Sequence, residues 1–336
     1  MIEATVESFE LPLALPFRNS QGVTTAVIQP LLALSEDGVT GHGSVRGAPV
    51  EQLRTAATLI GSRSSEETEL IRWQLIEAGY DAAVRASIDM ALQDLRGRKH
   101  GLSVRSMLGL EGLNCAPSAL SLPVATPDET RQAARNMRSV PILKLKVTPE
   151  TAIASVAAIR SVYSGGLRID GNGSFTADQA LFVAEKIAGQ VELFEQPTPA
   201  AELEALARVH TDSPVPIAAD ESVVNTAAII KLAGKVSCVN LKMLRIGGIG
   251  ELLTAIGIAR TLGLRVMLGS KLESSLGLTA IAQLAGLADE IDLDGSTLLA
   301  ADFARGLSLD NGTLKIPSGP GLGCQIDTKK IGGSHD

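Results

Sequence analysis

The chain has 336 residues, a net charge of −7, and 45% apolar against 20% charged residues, a composition that supports a large core and excludes wholesale disorder. No Lys/Arg-rich block is present, which argues against a nucleic-acid partner. The three cysteines form no CxxC pair, the N-terminus lacks a basic start with an apolar core, and no apolar run reaches membrane-spanning length. We therefore expect a cytoplasmic protein without disulfides, signal peptide or membrane segment.

The first section of the chain has the pattern of strands followed by helices. ATVESFELPL predicts a strand, and two apolar runs on either side of Asp37-Gly38 predict a hairpin. Helical spacing follows in SSEETELIRWQLIEAG and YDAAVRASIDMALQDLRGRKHG. The second of these helices is expected to end at Gly97. Its apolar stripe comprises Ala83, Ala86, Ile88, Met90, Ala91 and Leu95. Residues 1–115 are thus predicted to form an α+β domain.

From about Cys115 onward, short apolar runs alternate with Ala-rich helical stretches. Eight strands separated by helices are typical of a parallel α/β barrel, here over residues 116–304. The eight runs are SALSLP, ILKLKV, GLRIDGN, ELFEQP, PIAADES, CVNLKMLR, RVMLGS and EIDLDGS. A doubly wound sheet would also show strands alternating with helices along the chain. However, the Gly-rich phosphate loop that usually accompanies such a sheet is missing from the sequence. Asn311-Gly312 predicts a second hairpin, and we expect residues 305–336 to return to the first domain as β-structure.

Three acids stand at the ends of consecutive predicted strands. Asp170, Glu195 and Asp220 are each 25 residues apart, which corresponds to one β/α repeat. Neighbouring strands lie ~4.8 Å apart, so these carboxylates should converge where barrel active sites are built. Hard oxygen ligands without Cys or His select Mg²⁺, or alternatively Mn²⁺. The alternative is that the acids cap the helices that follow.

Two lysines share one face of the predicted strand ILKLKV. Lys144 and Lys146 should point into the barrel because side chains alternate along a strand. Lys242, on the sixth strand, should face them from across the barrel, since the second and sixth strands are four apart in a ring of eight. Buried ammonium groups need a partner or a lost proton. The alternative is a structural network in which each lysine pairs with a carboxylate.

This arrangement suits abstraction of a proton α to a carboxylate. The metal and a nearby ammonium group would stabilise the resulting enediolate. Lys146, with its pKa lowered by Lys144 and the metal, is the candidate base, and Lys242 can return a proton to the other face. Two working lysines predict epimerisation, whereas one working base predicts elimination or cycloisomerisation.

At these residues the chain resembles the muconate-lactonizing-enzyme subgroup of the enolase superfamily. The matching segments are KxK, IDGN, FEQP, ADES and LKMLRIGGI. The resemblance implies a modified TIM barrel, (β/α)₇β, under an α+β capping domain that both chain ends form. It further implies Mg²⁺ on Asp170, Glu195 and Asp220, with Lys146 and Lys242 as the acid/base pair and a small-molecule carboxylate as substrate. Oligomerisation is common in the family, and the sequence fixes no state.

The last barrel strand helps to choose among the activities of the subgroup. Dipeptide epimerases carry a DxD there that holds the α-ammonium group, and Asp292 and Asp294 match it. The alternative is that one of them caps the next segment and the other pairs with Lys or Arg. Ser270 and Lys271 follow the seventh strand, and we expect them to contact the substrate, with Lys271 accepting an acidic side chain or a carboxylate. The alternative is that Lys271 is a solvent-exposed loop lysine, so the C-terminal residue of the dipeptide is open.

An arginine that family members acting on Ala-Glu carry after the PF pair is missing. Gln21 and Gly22 fill that loop, with Arg18 as a weak substitute. The sequence therefore predicts a dipeptide epimerase. The same-fold alternatives are a cycloisomerase, an o-succinylbenzoate synthase or an N-acylamino-acid racemase. A non-catalytic binding protein is disfavoured because all five chemical residues are present.

Overall fold

An antiparallel sheet of three strands begins the chain. The structure is a computed structural model that describes residues 1–20 and 22–331. The strands are β1 (Glu3–Asn19), β2 (Gly22–Glu36) and β3 (Val39–Gly43). Asp37 and Gly38 join β2 to β3 with φ angles of 53° and 78°, the left-handed conformation that a two-residue hairpin requires. The predicted hairpin is confirmed.

Four helices follow this sheet, and the longest packs on it. They are α1 (Val50–Ile60), α2 (Thr68–Glu77), α3 (Ala82–His100) and α4 (Val104–Met107), with a 3₁₀ turn at Ser65–Glu67. The predicted apolar stripe of α3 is buried throughout. Gly41 and Gly43 of β3 permit the close packing, because a Cβ on Gly43 would lie 1.9 Å from the Ser87 carbonyl oxygen of α3.

The prediction that α3 ends at Gly97 is wrong. The helix continues to His100 and is capped by Gly101, whose φ of 67° is left-handed. Gly97 has a different role, because a Cβ there would lie 2.6 Å from the Cα of Gly321. The helix therefore keeps this glycine so that the C-terminal segment can lie against it.

A parallel eight-stranded sheet forms the second part of the fold. The strands lie next to one another in chain order, and a parallel bridge between Ser118 and Ile291 joins the first strand region to the last. The Ala119 N–H donates to the Ile291 carbonyl at 3.0 Å, so the sheet closes as a barrel. All eight predicted strands are present: β4 (Leu120–Leu122), β5 (Ile142–Lys146), β6 (Gly166–Asp170), β7 (Leu193–Glu195), β8 (Ile217–Ala219), β9 (Cys238–Leu241), β10 (Arg265–Gly269) and β11 (Glu290–Asp292).

Amphipathic helices connect the barrel strands. Thr126 and Thr176 begin two of them with capping boxes, in which the threonine accepts a backbone N–H and a Glu or Gln three residues later reaches back. The helices are α5 (Pro127–Asn136), α6 (Ala152–Arg160), α7 (Ala177–Lys186), α8 (Leu203–Asp212), α9 (Thr226–Leu232), α10 (Met243–Ile246), α11 (Ile249–Thr261) and α12 (Ser275–Ala282), with 3₁₀ turns at Ala285–Leu287 and Gly295–Leu298. Among the described residues, no helix is long and apolar enough to cross a bilayer.

The C-terminal segment contacts both parts of the fold. It contains β12 (Ala304–Arg305), β13 (Ser308–Asp310), β14 (Thr313–Lys315), β15 (Gln325–Ile326) and a 3₁₀ turn at Thr328–Lys330. The predicted hairpin at Asn311-Gly312 is confirmed. However, it does not join the first sheet, because Gly312 accepts from the Ser118 N–H of the barrel at 2.8 Å. The contact with the first domain lies further along, where Gly321 accepts from the Val104 N–H at 2.8 Å. The domain boundaries themselves stay a prediction.

The contact between α3 and the C-terminal segment can be tested with two glycine substitutions. Gly97→Ala should lower the free energy of unfolding by about 1–3 kcal/mol, because the new methyl group overlaps the backbone at Gly321. Gly257→Ala in α11 is the matched control, since a Cβ there meets nothing within 4 Å. The control should gain about 0.5–1 kcal/mol from helix propensity. Urea unfolding measures both, and equal stability of the two variants would contradict the proposed contact.

Candidate active site

The alternation of side chains along β5 places two lysines inside the barrel. Leu143 and Leu145 point to the surrounding helices and are buried there, while Lys144 and Lys146 point inward. Only 1% of Lys144 is exposed. Lys242 follows β9, which stands four strands from β5 in the ring. The structure thus places lysines on opposite sides of one barrel interior, as the sequence led us to expect.

The three predicted metal ligands lie together at the carboxyl ends of adjacent strands. Asp170 ends β6, Glu195 ends β7 and Asp220 follows β8 directly. One oxygen of each carboxylate lies within 4.8 Å of the others, and all three side chains are buried. None of them caps a helix, since the N-cap residues of α7, α8 and α9 are Thr176, Glu202 and Asn225. The capping alternative is therefore not realised.

The electrostatics of these carboxylates fit a divalent cation. Burial and the charge of Asp170 raise the pKa of Glu195 to about 7. Burial would raise the pKa of Asp220 as well. The charges of Lys242 and Arg245 outweigh this effect of burial and hold the pKa of Asp220 well below its ordinary value. Three buried hard oxygen donors with mutual repulsion are the ligand set that Mg²⁺ or Mn²⁺ prefers.

Lys144 connects this acidic cluster to the last barrel strand. Its Nζ lies 2.8 Å from Glu195, 3.1 Å from Asp170 and 2.7 Å from Asp292. Burial opposes the charge on Lys144, yet the carboxylates, with Asp292 first, raise its pKa well above the ordinary value. Lys144 is therefore a fixed cation at the floor of the site.

The two opposed lysines each contact one of the three acids. The Nζ of Lys146 lies 2.5 Å from Asp170, and the Nζ of Lys242 lies 2.6 Å from Asp220. Burial and Lys144 lower the pKa of Lys146, but Asp170, Glu195 and Asp292 together raise it above the ordinary value. The lowered pKa that the sequence led us to expect includes the charge of a bound metal ion and stays a prediction. The pairing that the structural-network alternative foresaw thus exists, and it involves the candidate metal ligands themselves.

Polar neighbours that sequence reasoning missed hold the acids in place. Asn240 donates to Glu195 Oε1 at 2.9 Å, and Arg245 contacts Asp220 Oδ1 at 2.9 Å. The Gln196 side chain accepts from the Asp220 N–H at 2.9 Å. Asn240 could have been found by its position two residues before Lys242, which places it on the same face of β9.

Asp292 and Asp294 face the pocket rather than the helices. Asp292 Oδ2 contacts Lys144, while Asp292 Oδ1 is buried and accepts no hydrogen bond from the described part of the chain. Asp294 Oδ2 accepts from the Ser121 N–H at 2.5 Å. Burial and the charge of Asp292 raise the pKa of Asp294 to about 6. The sequence left the alternative that one of these two residues caps the next segment and the other pairs with a cation. Asp292 does pair with a lysine, but the Asp294 side chain makes no capping hydrogen bond to the 3₁₀ turn that follows it.

A pocket of about 310 Å³ lies above these residues, between the barrel and the β1–β2 hairpin. Its wall includes Ser270 and Lys271, which the sequence predicted to contact the substrate, and Arg46, which the sequence analysis did not single out. Arg18 is not part of this wall and lines a separate depression beside α5, because strand alternation turns it away from its neighbours Phe17 and Asn19. Gly22 lines the pocket, and Gln21 lies outside the described residues.

A second buried carboxyl group, Glu273, joins the capping domain to the barrel. It accepts from the Arg46 N–H at 2.9 Å and from the Gln29 side chain. Burial raises the pKa of Glu273 to about 8, although Arg46 and Gln29 lower it. The charge of Asp302 adds to the rise. The group is therefore mainly protonated at neutral pH.

This raised pKa predicts a pH-dependent stability. The folded chain keeps the Glu273 proton up to about pH 8, whereas the unfolded chain releases it near 4.5, so the free energy of unfolding should fall as pH rises between these values. The fall is at most about 1.4 kcal/mol per pH unit. Glu273→Gln keeps an acceptor without a titrating proton, so its unfolding free energy should fall less.

Urea unfolding at several pH values from 5 to 8 measures this difference. Glu185→Gln, an exposed change on α7, is the matched control and should follow the parent chain. Identical pH slopes for Glu273→Gln and the parent would show that Glu273 is ionised in the folded state.

Two family models cover most of the chain. The description "Enolase C-terminal domain-like" matches residues 128–330. The description "Mandelate racemase / muconate lactonizing enzyme, N-terminal domain" matches residues 1–109. Together they span the three-stranded sheet with its helices and nearly the whole barrel.

Individual relatives extend over almost the full length of the chain. It is 32% identical to a hydrophobic dipeptide epimerase of Roseobacter litoralis, over 92% of this chain and 94% of the relative. It is 29% identical to an L-Ala-D/L-Glu epimerase of Escherichia coli, over 93% of this chain and 99% of the relative. Among solved structures, the dipeptide epimerase of Enterococcus faecalis complexed with Mg and L-Leu-L-Tyr superposes with a TM-score of 0.89. It is 27% identical and covers 96% of this chain and 98% of that one.

Proposed function

The chain belongs to the mandelate racemase and muconate lactonizing enzyme family of enolase-like isomerases, and we propose that it is a Mg²⁺-dependent dipeptide epimerase. It would invert the α-carbon of the C-terminal residue of a dipeptide. The observation that carries this proposal is the orientation of Asp292 and Asp294 into a pocket that also holds two opposed lysines. The names of the relatives support the same activity.

Asp170, Glu195 and Asp220 would hold the Mg²⁺, with Mn²⁺ as a substitute. When bound, the cation supplies positive charge that neutralises these carboxylates and stabilises negative charge on the substrate carboxylate. Lys144, fixed in its charged form by its carboxylate neighbours, would stabilise the same developing charge from the chain itself.

Lys146 and Lys242 would move the α-proton. The Nζ of Lys146 would accept it on one face of the α-carbon, and the Nζ of Lys242 would donate a proton on the other face. Their strands are four apart in the ring, so the two amines approach a substrate between them from opposite directions. Because each lysine can take or give the proton, the reaction runs both ways and exchanges the L and D configurations.

Asp292 and Asp294 would bind the α-ammonium group of the dipeptide. The free, buried Oδ1 of Asp292 is an acceptor without a donor among the described residues, and such an atom favours a cationic ligand. The same carboxylates would repel a dianion such as muconate and would leave an N-acylated amino acid without its partner. This argument favours the epimerase over the cycloisomerase, the o-succinylbenzoate synthase and the N-acylamino-acid racemase.

The proposal is tested by hydrogen exchange. The full chain is incubated with Mg²⁺ in D₂O and a library of L,L-dipeptides, and mass spectrometry with chiral chromatography reads the products. We expect a single deuterium at the α-position of the C-terminal residue together with inversion. If no dipeptide exchanges its α-proton, the proposal fails, and acyl-amino acids, muconate and the succinylbenzoate precursor become the next substrates to test.

Lysine variants separate the two-base scheme from a single base. Lys146→Ala and Lys242→Ala should each reduce epimerisation by about 10²–10⁴-fold. Each should retain exchange from one stereoisomer only, because the remaining lysine faces one side of the α-carbon. Lys186→Ala, on the outer helix α7, is the control and should epimerise normally. Full two-way activity in either pocket variant would contradict the scheme.

Metal binding has a readout that does not depend on activity. Mg²⁺ should raise the midpoint of thermal unfolding, since a ligand at a hundred times its Kd adds about 2.7 kcal/mol to stability. Asp220→Asn should remove most of this Mg²⁺-induced rise. Asp178→Asn, an exposed surface carboxylate, should leave it unchanged. Equal rises in the two variants would mean that Asp220 is not a ligand.

A further inference from the structure

We propose that Arg46 and Lys271 form an anion site at the mouth of the pocket and that the enzyme selects dipeptides with an acidic side chain. The inference rests on the dipeptide epimerase activity proposed above and adds the chemical class of the substrate side chain. Arg46 follows β3 in the capping domain, and Lys271 follows β10 of the barrel. Both line the pocket, Arg46 half-buried and Lys271 exposed at the mouth. The site therefore spans the two parts of the fold.

These two cations lack the partners that the other pocket cations have. Each remaining lysine of the pocket wall forms an ion pair: Lys144 with Asp292, Lys146 with Asp170, and Lys242 with Asp220. Within residues 1–20 and 22–331, neither Arg46 nor Lys271 forms an ion pair, although the charge of Glu273 acts on Arg46 and that of Asp220 on Lys271. The pocket thus presents two uncommitted positive charges to whatever enters it.

Repulsion among cations makes an anion favourable there. Partial burial, together with the charges of Arg245, Lys242 and Arg46, lowers the pKa of Lys271. Burial likewise lowers the pKa of Arg46, against the opposing effect of Glu273. A carboxylate placed between Arg46 and Lys271 would relieve this repulsion and accept hydrogen bonds from both.

The backbone holds both cations in position. The Arg46 N–H donates to Glu273, which lies two residues beyond Lys271. This hydrogen bond anchors the Arg46 backbone, and the raised pKa of Glu273, about 8, limits the negative charge that its carboxyl group carries at neutral pH. On the other side, a Cβ on Gly295 would lie 2.4 Å from the Lys271 carbonyl oxygen, so the loop after β11 packs closely on Lys271. Glu273 is thus a positioning residue for the anion site.

The charges of an ordinary dipeptide are already matched elsewhere. Under the proposed function, its α-carboxylate would be held by Lys144 and by the Mg²⁺ that the three acids would bind, and its α-ammonium group would be held by Asp292 and Asp294. Arg46 and Lys271 remain for a third charged group, and a side-chain carboxylate is the one that a dipeptide can supply. An apolar side chain would enter beside two partly desolvated cations and satisfy neither.

Matched pairs of dipeptides test the inference. The full chain with Mg²⁺ is assayed by α-proton exchange on L-Ala-L-Glu and L-Ala-L-Gln, on L-Glu-L-Ala and L-Gln-L-Ala, and on L-Ala-L-Leu. Within each Glu/Gln pair, size is nearly constant and only the charge changes. We expect kcat/KM to favour Glu over Gln on the order of tenfold or more in one pair, and that pair identifies which residue carries the anion. The preference should fall as salt is added, because Lys271 is exposed.

Variants assign the preference to the two cations. Lys271→Met and Arg46→Met should each bring the Glu/Gln ratio of kcat/KM toward one, mainly through a higher KM for the Glu peptide. Lys271→Arg and Arg46→Lys should keep most of the ratio because they keep the charge. Lys315→Met and Arg208→Met, on the outer surface, are the matched controls and should keep all of it. Because the Glu/Gln ratio compares two substrates on the same variant, a general loss of activity does not change it.

The outcomes separate the two proposals. Exchange on L-Ala-L-Leu without a preference for Glu over Gln would overturn the anion site and leave the epimerase standing. A Glu preference that survives both Met substitutions would also overturn the assignment to Arg46 and Lys271. If no dipeptide exchanges at all, the proposed function fails, and the inference built on it fails as well.

Discussion

The structure depends on the burial of like charges at one edge of the barrel. Three carboxylates end adjacent strands, and none of them is more than 1% exposed. Such a cluster destabilises a fold unless cations lie among the acids. The chain supplies Lys144 at the centre, Lys146 and Lys242 on either side, and a gap between the oxygens that suits a divalent ion. Catalytic potential and electrostatic compensation therefore reside in the same side chains.

The capping domain completes a site that the barrel alone leaves open. The strand ends provide the floor, with its acids and lysines, while Phe17, Thr24 and Arg46 close the pocket from above. Glu273 joins the two parts, because it follows a barrel strand and accepts hydrogen bonds from Gln29 and the Arg46 backbone. A small shift of the cap would move Arg46 relative to Lys271. The packing of the two domains is thus part of the substrate pocket.

The sequence was sufficient for the barrel and its floor because both follow from strand periodicity. Alternation along ILKLKV places Lys144 and Lys146 inside, and the repeat of 25 residues aligns Asp170 with Glu195 and Asp220.

The features that escaped prediction depend on contacts between distant segments. Gly97 looks like a helix end but is a packing site for Gly321, and only the tertiary approach distinguishes these roles. Arg46 and Glu273 carry no local signature, since one lies in a loop of the cap and the other after the seventh barrel strand. The contact of Lys146 with Asp170, which raises the pKa of the lysine, likewise depends on a distance that residue spacing does not give.

Under the proposed function, the division between floor and mouth explains how one chemistry can serve different dipeptides. The floor is constrained on every side, because replacing any acid or lysine there leaves an uncompensated buried charge. The mouth is constrained less, since Lys271 is exposed and Arg46 is only half-buried. Charge can therefore change at these two positions without disturbing Lys146 and Lys242, the residues proposed to exchange a proton with the substrate. Side-chain selectivity in this fold should vary at the loops after β3 and β10, while the reaction stays fixed by the strands beneath them.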